Sequence, residues 1–126
     1  MPAARILVVE DEILIAEDLR IRLSRLGYQV VGIAASGPEA VQKAGDLRPD
    51  AILMDVRLQG AMDGVEAARR IRRGADIPII FVTAHVSVLA SLDLGDRCTR
   101  LAKPFSPSQL QAVIQDVLSK AEQPNQ

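Results

Sequence analysis

Five short apolar runs recur along this chain, and the segments between them have helical spacing rather than the form of tight turns. The runs are RILVVE (5–10), VVGIA (30–34), AILMDV (51–56), PIIFVT (78–83) and CTRLA (98–102). Antiparallel hairpins need short Asn-Gly or Gly-rich turns between strands, and no such signal separates these runs. Strands joined by helical crossovers form a parallel sheet covered on both faces, which suits runs that are apolar at nearly every position. An α/β fold with five parallel strands and five helices is expected. At 126 residues the chain makes one domain, 1–126, with its core at about 4–120 and a flexible tail over 121–126.

The helices are legible from their caps and stripes. Ile13 to Leu26 carries Ile15, Leu19, Leu23 and Leu26 on one stripe, with Gly27 as its stop. Residues 36–47 open with Ser36 and Glu39 at capping-box spacing and Pro38 in the first turn, and Pro49 ends the segment. A third helix over 64–74 turns Val65, Ala68 and Ile71 inward, and a weaker one is expected at roughly 86–93. In the last helix Ser106 is the cap and Pro107 the start, with Leu110, Val113, Ile114, Val117 and Leu118 on one face.

Composition narrows function by exclusion. Hydrophobic residues make up 48% of the chain and aromatics only 2%, so the core is aliphatic. With 15 basic and 16 acidic residues the formal charge is -1, which gives no global pull toward nucleic acid or an anionic membrane. The lone cysteine, Cys98, has no internal disulfide partner and reads as a small buried hydrophobe. The opening MPAAR lacks the build of a signal peptide, and no apolar run approaches the roughly 20 residues of a membrane span. A soluble cytoplasmic protein that binds neither nucleic acid nor membrane is expected. Arg69, Arg70, Arg72 and Arg73 read as a solvated helix face, with Glu66 in reach of Arg69 or Arg70.

Right-handed crossovers bring every strand of a parallel sheet to the same edge, and ligands bind there near the point where strand order reverses. The strand ends of this chain carry Glu10, Asp11 and Glu12, then Asp55, then Thr83, then Lys103 before Pro104. Asp55 stands out, because a carboxylate between Met54 and Val56 is expensive to bury without partners. Gathered carboxylates repel one another, and oxygen donors suit a hard divalent ion, Mg²⁺ or Mn²⁺. Such a site fits phosphoryl transfer onto the Asp55 carboxylate. The ion and Lys103 would neutralise charge, and Thr83 would donate a hydrogen bond. Taken alone, residues 10–12 suit a helix N-terminus and Thr83 an ordinary strand end; their combination with Asp55 and Lys103 favours a site.

The set VVEDE, LMDVRL, FVTAH and LAKPF, in this order and at these intervals, resembles the receiver domain of two-component response regulators over essentially the whole chain. The resemblance implies a flavodoxin-like, doubly wound sheet of strand order 2-1-3-4-5. It implies Asp55 as phosphoacceptor, and Glu10, Asp11 and Asp55 as Mg²⁺ ligands helped by the backbone carbonyl of Arg57. It also implies that Thr83 and Lys103 sense the phosphoryl group, and that the Lys103–Pro104 peptide is cis. Arg57 and His85 would border the path of the attacking water and tune the phosphoryl lifetime. The implied partner is a histidine kinase or a histidine phosphotransfer protein, and a homodimer is compatible. Three departures from the family pattern stand out. The loop VRLQGAMDG is one residue longer than usual, with Gln59 where proline is common. The interval from Thr83 to Lys103 is about two residues short, which would trim the fourth helix. Arg100 stands where an aromatic residue is usual.

The expected function is a stand-alone phosphorelay switch that signals by protein contact and is not itself an enzyme. The alternative is a phosphorylation-independent adaptor of the same fold. A flavodoxin-like cofactor binder or small hydrolase is disfavoured, since there is no glycine-rich phosphate loop and no second nucleophile–base pair. With Ile15, Leu19, Leu23 and Leu26 turned inward, steps of about 100° send Leu14 and Ile21 to the opposite face, with Asp18 and Arg25 interleaved. An apolar strip rising from the acidic strand end suits docking of a helical phosphodonor.

Overall fold

Successive residues of a strand point to opposite faces of its sheet, so a strand that is apolar throughout has to be covered twice. The computed structural model describes residues 3–84 and 98–122 and shows this double cover. Strands β1 (Arg5–Val9), β2 (Gln29–Ala34), β3 (Ala51–Asp55), β4 (Ile79–Thr83) and β5 (Cys98–Ala102) form one parallel sheet of order β2-β1-β3-β4-β5. Four helices are described: α1 (Ile13–Arg25), α2 (Gly37–Leu47), α3 (Gly64–Gly74) and α4 (Pro107–Glu122). The helix expected at 86–93 lies outside the described residues, as does His85. No helix among the described residues is long and apolar enough to cross a membrane.

Strand β1 sends Ile6 and Val8 to one face and Leu7 and Val9 to the other. The first face packs under α1 and α4 through Leu19, Leu23, Leu110, Ile114 and Val117. The second packs under α2 and α3 through Ala40, Ala44, Val65, Ala68 and Ile71. In α1 the buried stripe is Ala16, Leu19 and Leu23, while Ile15 and Leu26 are only partly buried. The stripe is thus turned toward Ala16 from the expected Ile15 line. The small Ala16 is buried at 1% exposure, while the larger Ile15 packs at the border of the cluster. Cys98 is partly rather than fully buried, because it opens an edge strand; its Sγ lies 3.8 Å from an Arg72 guanidinium nitrogen.

Helices α2, α3 and α4 start on side-chain caps, whereas Glu12 at the start of α1 makes no such bond. Ser36 Oγ accepts from the Glu39 N–H at 3.3 Å, and Glu39 accepts in return from the Ala35 N–H at 2.6 Å. In α4 the exchange is fully reciprocal: Ser106 Oγ accepts from the Gln109 N–H at 3.1 Å, and the Ser106 N–H donates to Gln109 Oε1 at 2.8 Å. On α3, Glu66 pairs with Arg70 at 3.0 Å and Arg72 with Asp76 at 3.3 Å, so this arginine run is a solvated face laced by ion pairs.

Helix α3 begins hard against the end of β3. Asp63 caps it by accepting from the Glu66 N–H at 2.9 Å, and the Gly64 N–H donates to the Val56 carbonyl at 2.9 Å. A Cβ on Gly64 would fall on the Asp55 carbonyl oxygen and lie 3.0 Å from Val56 Cα. Both obstacles are backbone, so neither can rotate away. At Gly74, the last residue of α3, a Cβ would meet nothing within 4 Å. Gly64→Ala is expected to destabilise the chain by about 2–3 kcal/mol through overpacking, while Gly74→Ala changes stability by less than about 1 kcal/mol. Urea unfolding of the two variants checks this, and equal midpoints would contradict it.

Candidate functional site

The strand registers bring the polar residues together. Val9 pairs with Met54, Asp55 with Val82 and Thr83 with Ala102. Glu10 therefore leaves β1 beside Asp55, and Lys103 leaves β5 beside Thr83. Two 2.9 Å backbone hydrogen bonds continue the ladder past the strands, from the Glu10 N–H to the Ala34 carbonyl and from the Lys103 N–H to the Thr83 carbonyl. The Lys103–Pro104 peptide is cis, as expected.

Carboxylate oxygens of Glu10, Asp11 and Asp55 lie within 4.8 Å of one another. Lys103 Nζ stands 3.8 Å from Glu10 Oε1 and 3.9 Å from Asp55 Oδ2, close enough to attract both but too far for a strong charged hydrogen bond. The Arg57 N–H donates to Asp55 Oδ1 at 3.2 Å. The Glu10 side chain is 3% exposed and that of Asp55 16%, so the cluster meets solvent at Asp55 rather than at Glu10. Burial first, and then the adjoining Asp55 carboxylate, push Glu10 up from 4.5 to about 8, against the pull of Lys103. Its Oε2 is buried and, among the described residues, has no hydrogen-bond partner.

A buried oxygen without a partner, among other carboxylate oxygens, is what a hard cation would satisfy. The donor set contains no thiolate or imidazole, so it fits Mg²⁺ or Mn²⁺ rather than a softer metal. The residues present fit the expected ion.

The structure thus brings Glu10, Asp11, Asp55, Thr83 and Lys103 to one edge, with Thr83 buried and Arg57 exposed beside Asp55. Arg100 is exposed on β5, opposite Phe81 in the register. On α1, Leu14 is 84% exposed and Ile21 41%. The same helix also exposes Ile13, which the sequence reading did not single out, at 77%. Beside this helix a cleft of about 430 Å³ runs toward the segment after β5, between Ile15, Leu19, Lys103, Pro104 and Phe105. Gly64 was also missed. The Asp63-Gly64 pair ahead of an apolar stripe was the available signal, since a cap followed by a bare Cα marks a helix that starts under crowding.

Residues 6–115 match the response regulator receiver domain family. The phyllosphere-induced regulator PhyR of Methylorubrum extorquens is 36% identical over 117 residues, covering 92% of this chain and 44% of that protein. The solution structure of the PhyR receiver domain from Erythrobacter litoralis superposes with a TM-score of 0.87 at 28% identity, covering all of this chain and 98% of that one. The receiver domain of a sensor histidine kinase from Pseudomonas aeruginosa, solved with a magnesium ion coordinated in its active site cleft, gives 0.79 at 35% identity over 93% of this chain and 98% of that one. The chain spans about half the length of the curated relatives it matches. With the fold, the acidic edge and the match over residues 6–115 in agreement, the chain belongs to the response regulator receiver domain family, the signalling modules of two-component systems.

Proposed function

We propose that this chain is a phosphorelay switch that takes a phosphoryl group onto Asp55 from a phosphohistidine of a histidine kinase or histidine phosphotransfer protein. The observation that carries this reading is Glu10 Oε2, a buried carboxylate oxygen short of a partner among the described residues, beside the partly exposed Asp55. An adaptor that had dropped the chemistry would gain stability by losing that oxygen, so its presence favours phosphorylation over the adaptor reading. In the transfer, an Asp55 carboxylate oxygen attacks phosphorus in line with the donor nitrogen. The P–O bond forms as the P–N bond breaks, and the electron pair returns to the donor imidazole. Bound Mg²⁺ supplies positive charge to the phosphoryl oxygens. Glu10, Asp11, Asp55 and the Arg57 carbonyl would hold it. Lys103 holds a second positive charge at the same oxygens, and the Thr83 hydroxyl donates to one of them. Arg57, exposed beside Asp55, borders the approach of the hydrolytic water and tunes the lifetime of the acyl phosphate.

Acetyl phosphate with Mg²⁺ should add one phosphoryl group, read by intact mass. Labelling should vanish in Asp55→Asn and with chelator, and full labelling of the Asn variant would sink the assignment.

The site should also tie metal binding to pH. Without metal, Glu10 holds its proton in the folded chain up to about pH 8 but releases it near 4.5 when unfolded. The folded state binds more protons across that interval, so this contribution to stability is full below it and is lost as pH rises through it. Mg²⁺ needs the charged carboxylate, so its binding releases a proton near neutrality and tightens toward pH 8. The rise in melting temperature with Mg²⁺ should be larger at pH 8 than at pH 6, and Glu10→Gln should flatten the difference. Equal rises in the wild-type chain would contradict the Glu10 assignment.

Leu14 and Ile21 seat the donor helix. They are exposed on α1, Leu14 in the first turn next to the acidic strand end and Ile21 two turns further along. Each Ala substitution should slow transfer from the cognate donor protein by about tenfold, the cost of roughly 1.4 kcal/mol of apolar burial. Labelling by acetyl phosphate should be unchanged. Parallel losses with both donors would remove the strip from the interface.

A further inference from the structure

The connection from β3 to α3, residues 56–63, carries the Arg57 carbonyl of the proposed metal set. Leu58 and Met62 are partly buried against the α2/α3 face, on either side of an exposed Gln59-Gly60-Ala61 turn in which Gly60 has φ of 96°. A cleft of about 350 Å³ lies against that turn, bounded by Ser36, Pro38, Glu66 and Arg70, so the turn itself is loosely packed.

Met62 comes down on Gly37, the first residue of α2. A Cβ built on Gly37 would lie 2.7 Å from Met62 Cγ and 2.9 Å from both its Cβ and its Sδ. The contact therefore reaches the root of the side chain. Rotation about χ1 moves Cγ and Sδ but not Cβ, so clearing space at Gly37 requires the loop backbone to shift. The start of α2 is the stiffer partner. Glu39 accepts from the Ala35 N–H at 2.6 Å, and Lys43 Nζ donates to the Ile33 carbonyl at 2.7 Å while standing 3.0 Å from Glu39.

We propose that Met62, seated on the bare Cα of Gly37, positions the Arg57 carbonyl, so that the first turn of α2 sets the Mg²⁺ affinity of the acidic edge although it supplies none of the ligands. The inference rests on the metal reading above. Loss of a neighbour that orients a metal ligand typically costs about 10- to 100-fold in metal affinity.

The test is Mg²⁺ titration of the wild-type chain, Gly37→Ala, Met62→Ala and the double variant, followed by calorimetry. Amide exchange at Arg57 and Leu58 in the metal-free proteins gives a second readout. Each single variant should weaken Mg²⁺ binding by about tenfold and speed exchange at both amides. In the Met62→Ala background, Gly37→Ala should cost clearly less than in the wild-type chain, because Cγ and Sδ are gone and only the Cβ contact at 2.9 Å remains. If Gly37→Ala does not fold, Met62→Ala, which only removes atoms, carries the same test. Affinities within about twofold of wild type, or losses that add in the double variant, would overturn the latch. Mg²⁺ binding that survives Asp55→Asn unchanged would overturn the site reading beneath it.

Discussion

The buried carboxylate of Glu10 is the constraint to which the rest of this sheet edge answers. It has lost almost all contact with water, and Asp55 beside it adds a like charge, so the ionised form is disfavoured twice. Lys103 offsets this only in part, because at 3.8 and 3.9 Å it stands between two acids without closing on either. Such an arrangement costs stability while nothing positive sits among the oxygens. Perturbed acids of this kind gather where chemistry is done, and here the charge deficit matches a divalent ion and a phosphoryl group.

Position at this edge comes from the backbone more than from contacts among the polar side chains. Val9, Met54, Val82 and Leu101 are buried, and each stands next to, or one residue from, a polar residue of the site. The aliphatic packing fixes which face every strand residue takes. A slip of one residue would turn Asp55 into the core and Met54 onto the edge, at the expense of two buried layers. The site is thus a by-product of register, and register is enforced by the two hydrophobic clusters on either side of the sheet.

This explains which features were legible in the sequence. The strand ends were readable because parallel crossover topology sends them all to one edge, and the caps at Ser36 and Ser106 because their partners lie three residues away. The stripe of α1 was legible at Leu19 and Leu23, with Ile15 and Leu26 at its border, but the buried Ala16 was left out. Hydrophobic spacing gives a small residue such as Ala16 little weight, although it is buried as fully as the leucines. Gly64 and Met62 were missed for a related reason. Their importance lies in what they meet, the Asp55 carbonyl and Gly37, and neither encounter leaves a mark in local periodicity. The raised proton affinity of Glu10 also required the structure, since it depends on how far burial outweighs Lys103.

The two faces of the sheet are loaded differently, and this bears on how a signal leaves. Arg100 is exposed on β5 where the family usually places an aromatic ring. A ring gains by leaving water, whereas a guanidinium loses hydration it can recover only from a charged or hydrogen-bonding partner. Inward movement of residue 100 is therefore a poor readout in this chain. The neighbours of Asp55 offer other routes. Lys103 lines the cleft against α1, and the loop after Asp55 leans through Met62 on α2. In the proposed reading, a phosphoryl group draws on Lys103 and on that loop together. Each lies a few residues from a helix on a different face of the sheet, so one local charge change is felt by α1 and α2 without any rearrangement of the aliphatic core.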